Sequence, residues 1–337
     1  SLSGDMLELT MTAKDMPRDE LLEILNKYDR KKKYYRLKNG EFVNVAGEGL
    51  EVLVELKGSL ALTNRQLQEE TIEIPKYRAM LLDSRLKEEP QILAVKDKAF
   101  KSMIRNMKTV EDNDFEIPQN LRPVLREYQK IGFLWLKTLK NNGFGGILAD
   151  DMGLGKTLQV IAFLESEFGE REGNLRCLVV TPASLVYNWK SELERFAPKL
   201  PVQTVTGTAP EREEILKELP QRVILVTSYV LLKMDFEHYR KLSFVCQVID
   251  EAQYIKNHNT QAAQAVRGIR AECKLALTGT PVENRLSELW SIFDYLMAGF
   301  LYSYTYFRQT IEAPVVQNQD EKAMQQLQKM IRPFVLR

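Results

Sequence analysis

The segment Ala149-Asp150-Asp151-Met152-Gly153-Leu154-Gly155-Lys156-Thr157 constrains the fold most, because one apolar run at 145–149 precedes it and another at 158–164 follows. The order is strand, glycine-containing loop, helix. Such a loop aims several backbone N–H groups and the positive end of a helix dipole at one point, which suits an anion. Gly153 and Gly155 permit left-handed backbone and the close approach of a ligand. Lys156 is placed to reach the β- and γ-phosphates of a nucleotide, and the Thr157 hydroxyl to ligate Mg²⁺. Asp150 stands where the general phosphate-loop pattern has its first glycine. By itself the loop leaves two readings open: a phosphate cradle, or a turn that caps a buried helix.

The chain from Leu121 onward decides between them. Short apolar runs at 145–149, 176–181, 202–205, 222–227, 244–249 and 274–277 alternate with helical patterns at 156–168, 185–196, 211–219, 260–269 and 286–296. That alternation predicts an α/β fold with a parallel sheet covered by helices on both faces. The run at 244–249 ends in Asp250-Glu251-Ala252-Gln253. Ligands of parallel sheets sit at the carboxyl ends of the strands, where both the 150–157 loop and Asp250 fall. Asp250 is expected to hold Mg²⁺ directly or through water, as a hard oxygen ligand. Glu251 is expected to polarise a water for in-line attack on the γ-phosphate. An acidic pair at a strand end can instead cap a helix, but the Gly-Lys-Thr loop upstream favours the catalytic assignment.

Residues 1–110 show another pattern and are expected to form a small α+β accessory domain. Alternation at 7–12 reads as a strand, 19–27 as an amphipathic helix, and the runs 34–37 and 42–45 around Asn39-Gly40 as a hairpin. Helical patterns follow at 49–60, 77–87 and 96–107, and the acidic, apolar-poor stretch 111–120 reads as a linker to the domain at 121–337. The basic run 29–36, with its interleaved tyrosines, fits either a nucleic-acid contact or, preferably, a solvated helix end. A net charge of +1 argues against coating nucleic acid by bulk charge, while leaving room for a local basic groove. No apolar run approaches the roughly 18 residues of a spanning helix, so neither a membrane nor a signal peptide is expected. Cys177, Cys246 and Cys273 each lie in an apolar run and read as buried thiols of a reducing cytoplasm rather than zinc or disulfide ligands. His238 and His258 are too few for a metal cluster or a Ser/His/Asp arrangement.

From about Leu121 to Arg337 these residues resemble the superfamily-two helicase-like ATPases, and specifically the SWI/SNF-type DNA translocases and remodellers in a bacterial-looking form. Leu125-Arg126-Glu127-Tyr128-Gln129 through Trp135-Leu136 resembles the family's adenine-side segment, with Gln129 as the base-reading amide. The loop at 149–157 matches its phosphate loop, which accounts for Asp150. Val180-Thr181-Pro182-Ala183-Ser184 through Trp189 resembles motif Ia, Val226-Thr227-Ser228-Tyr229 motif Ib, Asp250-Glu251-Ala252-Gln253 motif II, and Leu277-Thr278-Gly279-Thr280-Pro281-Val282-Glu283-Asn284 motif III. Glu288-Leu289-Trp290-Ser291 and the closing 332–337 also look like family signatures.

The resemblance implies a RecA-like P-loop NTPase lobe using ATP and Mg²⁺, with Asp151, Met152, Gly153, Leu154, Gly155, Lys156 and Thr157 around the phosphates. Thr181, Ser184, Thr227 and Ser228 become candidate contacts to the backbone of double-stranded DNA, against plain helix capping for Ser184. Gln253, Thr278 and Thr280 become candidates for coupling the ATP and DNA sites, against turn chemistry around Gly279 and Pro281; Trp189 reads as core. Implied partners are duplex DNA, DNA-bound proteins such as RNA polymerase, and a second RecA-like lobe that does not follow before Arg337. The expected location is cytoplasmic and nucleoid-associated. Without the second lobe's arginine, such a lobe is expected to bind ATP·Mg²⁺ weakly and hydrolyse little. The alternatives are a strand-separating DNA or RNA helicase and a nucleic-acid-binding module whose motor has decayed. Gly155, Lys156, Thr157, Asp250 and Glu251, all present, speak against decay.

Overall fold

A computed structural model describes residues 1–12, 17–27, 34–44, 50–88, 92–151, 153–279 and 285–337. The chain divides into two compact units, Ser1–Arg105 and Asn106–Arg337, so the acidic stretch read as a linker groups with the second unit.

The first unit contains β1 (Leu2–Ser3), β2 (Met6–Leu9), α1 (Arg18–Lys27), β3 (Tyr34–Arg36), β4 (Phe42–Asn44), α2 (Leu50–Ser59), α3 (Asn64–Gln68), β5 (Ile72–Pro75), α4 (Ala79–Glu88) and the start of α5 (Lys98–Lys108). β2 sits between β1 and β5 in an antiparallel sheet. β3 and β4 pair as the expected hairpin, closed by Leu37 N–H donating to Glu41 O (2.8 Å), with Gly40 at φ +92° supplying the left-handed turn residue. Leu21, Ile24 and Leu25 of α1 bury against Leu37 and Val43, which is what the amphipathic pattern of α1 requires. Of the basic run, residues 29–33 lie outside the described residues, and Tyr34 and Arg36 are exposed.

The second unit runs α6 (Glu127–Asn141), β6 (Gly146–Leu148), α7 (Lys156–Glu170), β7 (Leu175–Thr181), α8 (Val186–Phe196), β8 (Val202–Thr204), α9 (Ala209–Lys217), β9 (Arg222–Ser228), α10 (Tyr229–Met234), α11 (Phe236–Tyr239), β10 (Ser243–Ile249), α12 (Gln261–Gly268), β11 (Arg270–Leu277), α13 (Leu286–Leu296), α14 (Tyr304–Phe307), α15 (Ala313–Asn318), α16 (Glu321–Ile331) and β12 (Val335–Leu336). Seven strands form one parallel sheet in the order β12-β6-β11-β10-β7-β9-β8. Helices α6, α7 and α8 pack on one another, as do α10, α12 and α13. This is the covered parallel sheet that the alternation of apolar runs and helical patterns predicted. Central strands such as β7 and β10 are apolar at nearly every position because both faces are dry.

Register fixes the functional edge. Leu148 pairs with Leu277, Ile249 with both Ala276 and Val180, and Thr181 with Ser228. The residues that follow these strands therefore leave the sheet at one end. The same register sets Cys246 beside Cys273 and Cys177, so three thiols far apart in sequence are neighbours across three strands. All three are buried and free. Burial pushes the Cys177 and Cys246 thiols up, away from ionisation.

The closing strand β12 was not read as a strand. It pairs with β6 on the side away from β11, and Leu336 O accepts the Ala149 N–H (2.7 Å) at the start of the phosphate loop. Two residues carry no periodicity, so only the register revealed it.

Candidate nucleotide-binding site

β6 ends at Leu148, the loop follows, and α7 starts at Lys156 with Gly155 as its N-cap at φ +74°. Gly153 is also left-handed, at φ +84°. These two glycines turn the chain so that the α7 N-terminus opens toward the strand edge. A Cβ on Gly155 would come within 2.3 Å of Gln129 Nε2, so glycine is required by packing as well as by φ.

Side chains hold the loop in shape. Lys156 Nζ donates to Asp150 O (2.7 Å) and Asp151 O (3.2 Å). Leu154 O accepts both the Tyr128 hydroxyl (2.9 Å) and Gln129 Nε2 (3.1 Å). Gln129 Oε1 accepts the Arg126 N–H (2.9 Å), so both ends of its amide are engaged by protein. The Asp150 carboxylate turns inward and accepts from buried Gln159 Nε2 (3.0 Å), which gives the residue in place of the usual glycine a structural function. Gln159 fits only because position 132 is glycine, where a Cβ would stand 1.7 Å from Gln159 Oε1. Thr157 is half-buried in the first turn of α7, and Met152 lies outside the described residues.

The acidic pair sits at the end of β10, separated from β6 only by β11, hence about 10 Å across the strand ends. Asp250 Oδ2 accepts from Trp189 Nε1 (2.8 Å) and, more weakly, from the Thr181 hydroxyl (3.4 Å); Oδ1 accepts the Glu251 N–H (2.9 Å). The Tyr229 hydroxyl donates to Asp250 O (2.6 Å). Glu251 adopts φ +50°, a strained conformation for a residue with a side chain and one that concentrates at functional sites. Its Oε2 accepts from Gln253 Nε2 (2.6 Å), and Gln253 Oε1 accepts from the Thr278 hydroxyl (3.4 Å). Thr278 N–H in turn donates to Leu148 O (3.1 Å) beside the loop.

Burial raises the Asp250 carboxyl above its ordinary value despite the Trp189 and Glu251 N–H donors, and the Glu251 charge pushes it further. Glu192 on α8 is raised too, by burial first and then by the Asp250 charge. Three carboxyl groups thus share one region, an environment that a divalent cation would relieve. Among the described residues no three His, Cys, Asp or Glu side chains converge as a metal cage. Mg²⁺ carried on a triphosphate needs only one or two protein oxygens, and Thr157 and Asp250 are the candidates at this edge of the sheet.

The candidate DNA contacts divide. Ser184 is exposed in the 3-10 turn Ala183–Leu185, and neither that turn nor α8 takes a side-chain cap, so the capping alternative is not realised there. Thr181 is instead fully buried, its hydroxyl turned to Asp250. Thr227 is fully buried and donates to Val205 O (3.0 Å), and buried Ser228 caps α10 by accepting the Leu231 N–H (3.3 Å). These three side chains offer no surface to a phosphate, because strand-end positions of a doubly covered sheet remain inside. Thr280, with residues 281–284, lies outside the described residues. Trp189 is core, as read, but its indole also holds the candidate metal ligand. Sequence reasoning missed Gln159, Gly132 and Glu192, and gave Tyr229 a place in motif Ib but no role. Of the first three only Gln159, a polar residue inside an apolar helical run, carried a signal.

Comparison with known proteins identifies the family and the fold. Residues 128–337 match the SNF2-related domain, and residues 1–118 match the domain described as bacterial SNF2 helicase associated. YwqA of Bacillus subtilis is 40% identical over 243 residues, which is 71% of this chain and 26% of that protein. An uncharacterized ATP-dependent helicase of Mycoplasma genitalium is 39% identical over 233 residues, 68% of this chain and 22% of its own length. The chain thus spans about a quarter of the length of these two relatives. The Sulfolobus solfataricus SWI2/SNF2 ATPase core, solved in complex with double-stranded DNA, superposes with a TM-score of 0.62 at 39% identity, covering 67% of this chain and 46% of that one.

Proposed function

The chain belongs to the SNF2-related domain family, and we propose that it is the ATP-binding lobe of a DNA-dependent ATPase that translocates on double-stranded DNA and remodels protein–DNA complexes. The observation that carries the reading is the hydrogen-bonded series Thr278–Gln253–Glu251, continuous with Asp250, at the strand edge that also bears the loop at 149–157. Bound ATP·Mg²⁺ supplies the scissile phosphoanhydride and its counter-ion. Lys156 gives up the Asp150 and Asp151 carbonyls and turns its ammonium to the phosphates, while the N–H groups of 153–157 surround them. Thr157 and Asp250 would hold the cation, whose charge would favour the ionised form of the raised Asp250 carboxyl. Glu251, oriented by Gln253, positions a water and takes its proton. Gln129 reads the base by exchanging the protein groups its amide now holds. Asp151, Gly153 and Leu154 shape the cradle; Gln253 and Thr278 couple it to DNA.

Duplex DNA is the favoured polymer because the Sulfolobus neighbour is described bound to it. On this lobe Ser184 is the retained side-chain contact, and backbone N–H groups at the strand ends supply the sequence-independent remainder. A second RecA-like lobe completes the site; a cation from it is worth ~10³–10⁵ in rate. DNA-bound proteins such as RNA polymerase are the proposed targets, and residues 1–110 the accessory domain that precedes the lobe.

The test is Lys156→Ala in the whole protein. Duplex-stimulated ATP hydrolysis and triplex displacement should both fall by about 100-fold or more. Activity undiminished by that change would sink the assignment. Separation of a forked duplex by the unaltered protein would favour the strand-separating helicase instead.

A further inference from the structure

The groups around Asp250 include one not used above. Tyr254 lies in the 3-10 turn Ala252–Ile255, its N–H donates to Glu251 O (3.0 Å), and its side chain is 54% exposed. Its ring stacks flat on Tyr229, with centroids 5.1 Å apart and planes 5° from parallel. Tyr229 is 3% exposed and follows directly on Ser228, and its hydroxyl donates to Asp250 O at 2.6 Å. An aromatic pair thus runs from solvent to the main chain of the candidate Mg²⁺ ligand. The carboxylate of the same residue is held by the Trp189 indole.

We infer that Tyr254 is a positioning residue that senses the duplex: its exposed ring and hydroxyl meet the sugar–phosphate backbone, and the Tyr254–Tyr229 stack passes that contact to Asp250. This rests on the duplex DNA reading above. A phenol suits the ligand, because its hydroxyl donates to a phosphate oxygen while the ring lies on deoxyribose, neither depending on base sequence. The two rings are parallel and offset, so a displacement of the outer ring presses on the inner one where they overlap. The Glu251 backbone strain lies between Tyr254 and Asp250, so a small rotation of the turn alters both acidic residues together.

The Trp189 indole N–H provides the readout, because it bonds directly to the Asp250 carboxylate. In ¹⁵N-labelled chain, the indole resonances of Trp135, Trp189 and Trp290 are assigned by single Trp→Phe changes. A short duplex is then added at low salt, with affinity measured in parallel by fluorescence anisotropy. The duplex should shift the Trp189 resonance in the unaltered chain and in Tyr254→Phe. Tyr254→Ala should bind about fivefold more weakly and lose the shift even at saturation. Tyr229→Phe keeps the stack but not the hydroxyl; it should bind the duplex normally and lose the shift. Unmoved Trp135 and Trp290 signals, whose indoles bond to Pro333 O and Tyr302 O, report that each variant is folded. A Trp189 shift that survives in Tyr254→Ala or Tyr229→Phe overturns the relay, as does duplex binding without any shift. Absence of duplex binding by the unaltered chain overturns the relay together with the DNA reading on which it rests.

Discussion

Asp250 shows how one residue carries opposed demands. Its folded carboxyl sits above the ordinary range, chiefly through burial, so the ionised form that the proposed Mg²⁺ ligation would need is disfavoured relative to a free aspartate. The sign follows: a raised acid contributes stability that is present below its unfolded value and lost as pH rises through the folded one. Asp250→Asn, which keeps an oxygen for the Trp189 indole, should flatten the part of the stability profile that falls as pH rises above the ordinary carboxylate range. It should also lower Mg²⁺-dependent nucleotide binding at least about tenfold. Chemical denaturation across pH and titration with a fluorescent ATP analogue check the two halves. Lys274 is the converse case. Burial lowers its amine to about 8, against a favourable Asp294 charge. Folding therefore penalises its charged form below pH 8, and stability should rise as pH climbs from 8 toward 10.5, by about 3 kcal/mol at most. That alkaline rise should vanish in Lys274→Met, measured as the difference between the two unfolding profiles.

Between elements, the contact of α6 with α7 places an ion network inside the protein. Lys137 (3% exposed) and Glu167 (1% exposed) meet at 2.6 Å, with Lys140 at 2.7 Å from the same carboxylate, and Glu170 at 2.7 Å from the Lys137 ammonium. Burial alone would raise Glu167, but its bonds to Lys137 and Lys140 outweigh this and hold it below the ordinary value. Its contribution is present above the unfolded carboxylate value and lost as pH falls through the folded one. Lys137→Met leaves the buried Glu167 carboxylate only Lys140 and, at 3.5 Å, Arg171, and should cost about 1–3 kcal/mol; Lys137→Met with Glu167→Leu should recover most of it. Urea unfolding of the two variants decides, and equal losses would refute the account. The elements themselves were legible where period and length agreed: α7, α13 and β10 fall where 3.6-residue and continuous apolar patterns placed them. β5 was missed because Ile72-Glu73-Ile74 is too short to stand out before its partner β2 is known.

At the scale of the whole lobe, the last residues of the chain belong to the first strand of the sheet. Phe334 is fully buried against Phe144 and Phe300, Pro333 O accepts from Trp135 Nε1 (3.2 Å), and Leu336 O holds Ala149. Removing 333–337 turns β6 into an edge strand and empties an aromatic site. The expected loss is about 3–5 kcal/mol from Phe334 alone, with weaker nucleotide binding, read by thermal unfolding and nucleotide titration. Unchanged nucleotide affinity in the truncated chain would show that β12 supports the fold but not the loop.

The sequence alone determined the covered parallel sheet, the position of the phosphate loop and the acidic pair, because each depends on local order: an apolar run, a turn and the residue types that follow. It also carried the family resemblance. Only the tertiary structure decided what those residues touch. Thr181, Thr227 and Ser228 are candidate DNA-backbone contacts by resemblance, yet register and helix packing keep them inside. Gln159 and Asp150 are nine residues apart and read as unrelated; the first turns of α7 bring them to 3.0 Å. Trp189, Tyr229 and Asp250 come from three separate strand–helix units, and they meet because parallel pairing aligns the strand ends. Long-range side-chain contact is the product of register and layer packing, and neither is written in any local window of the chain.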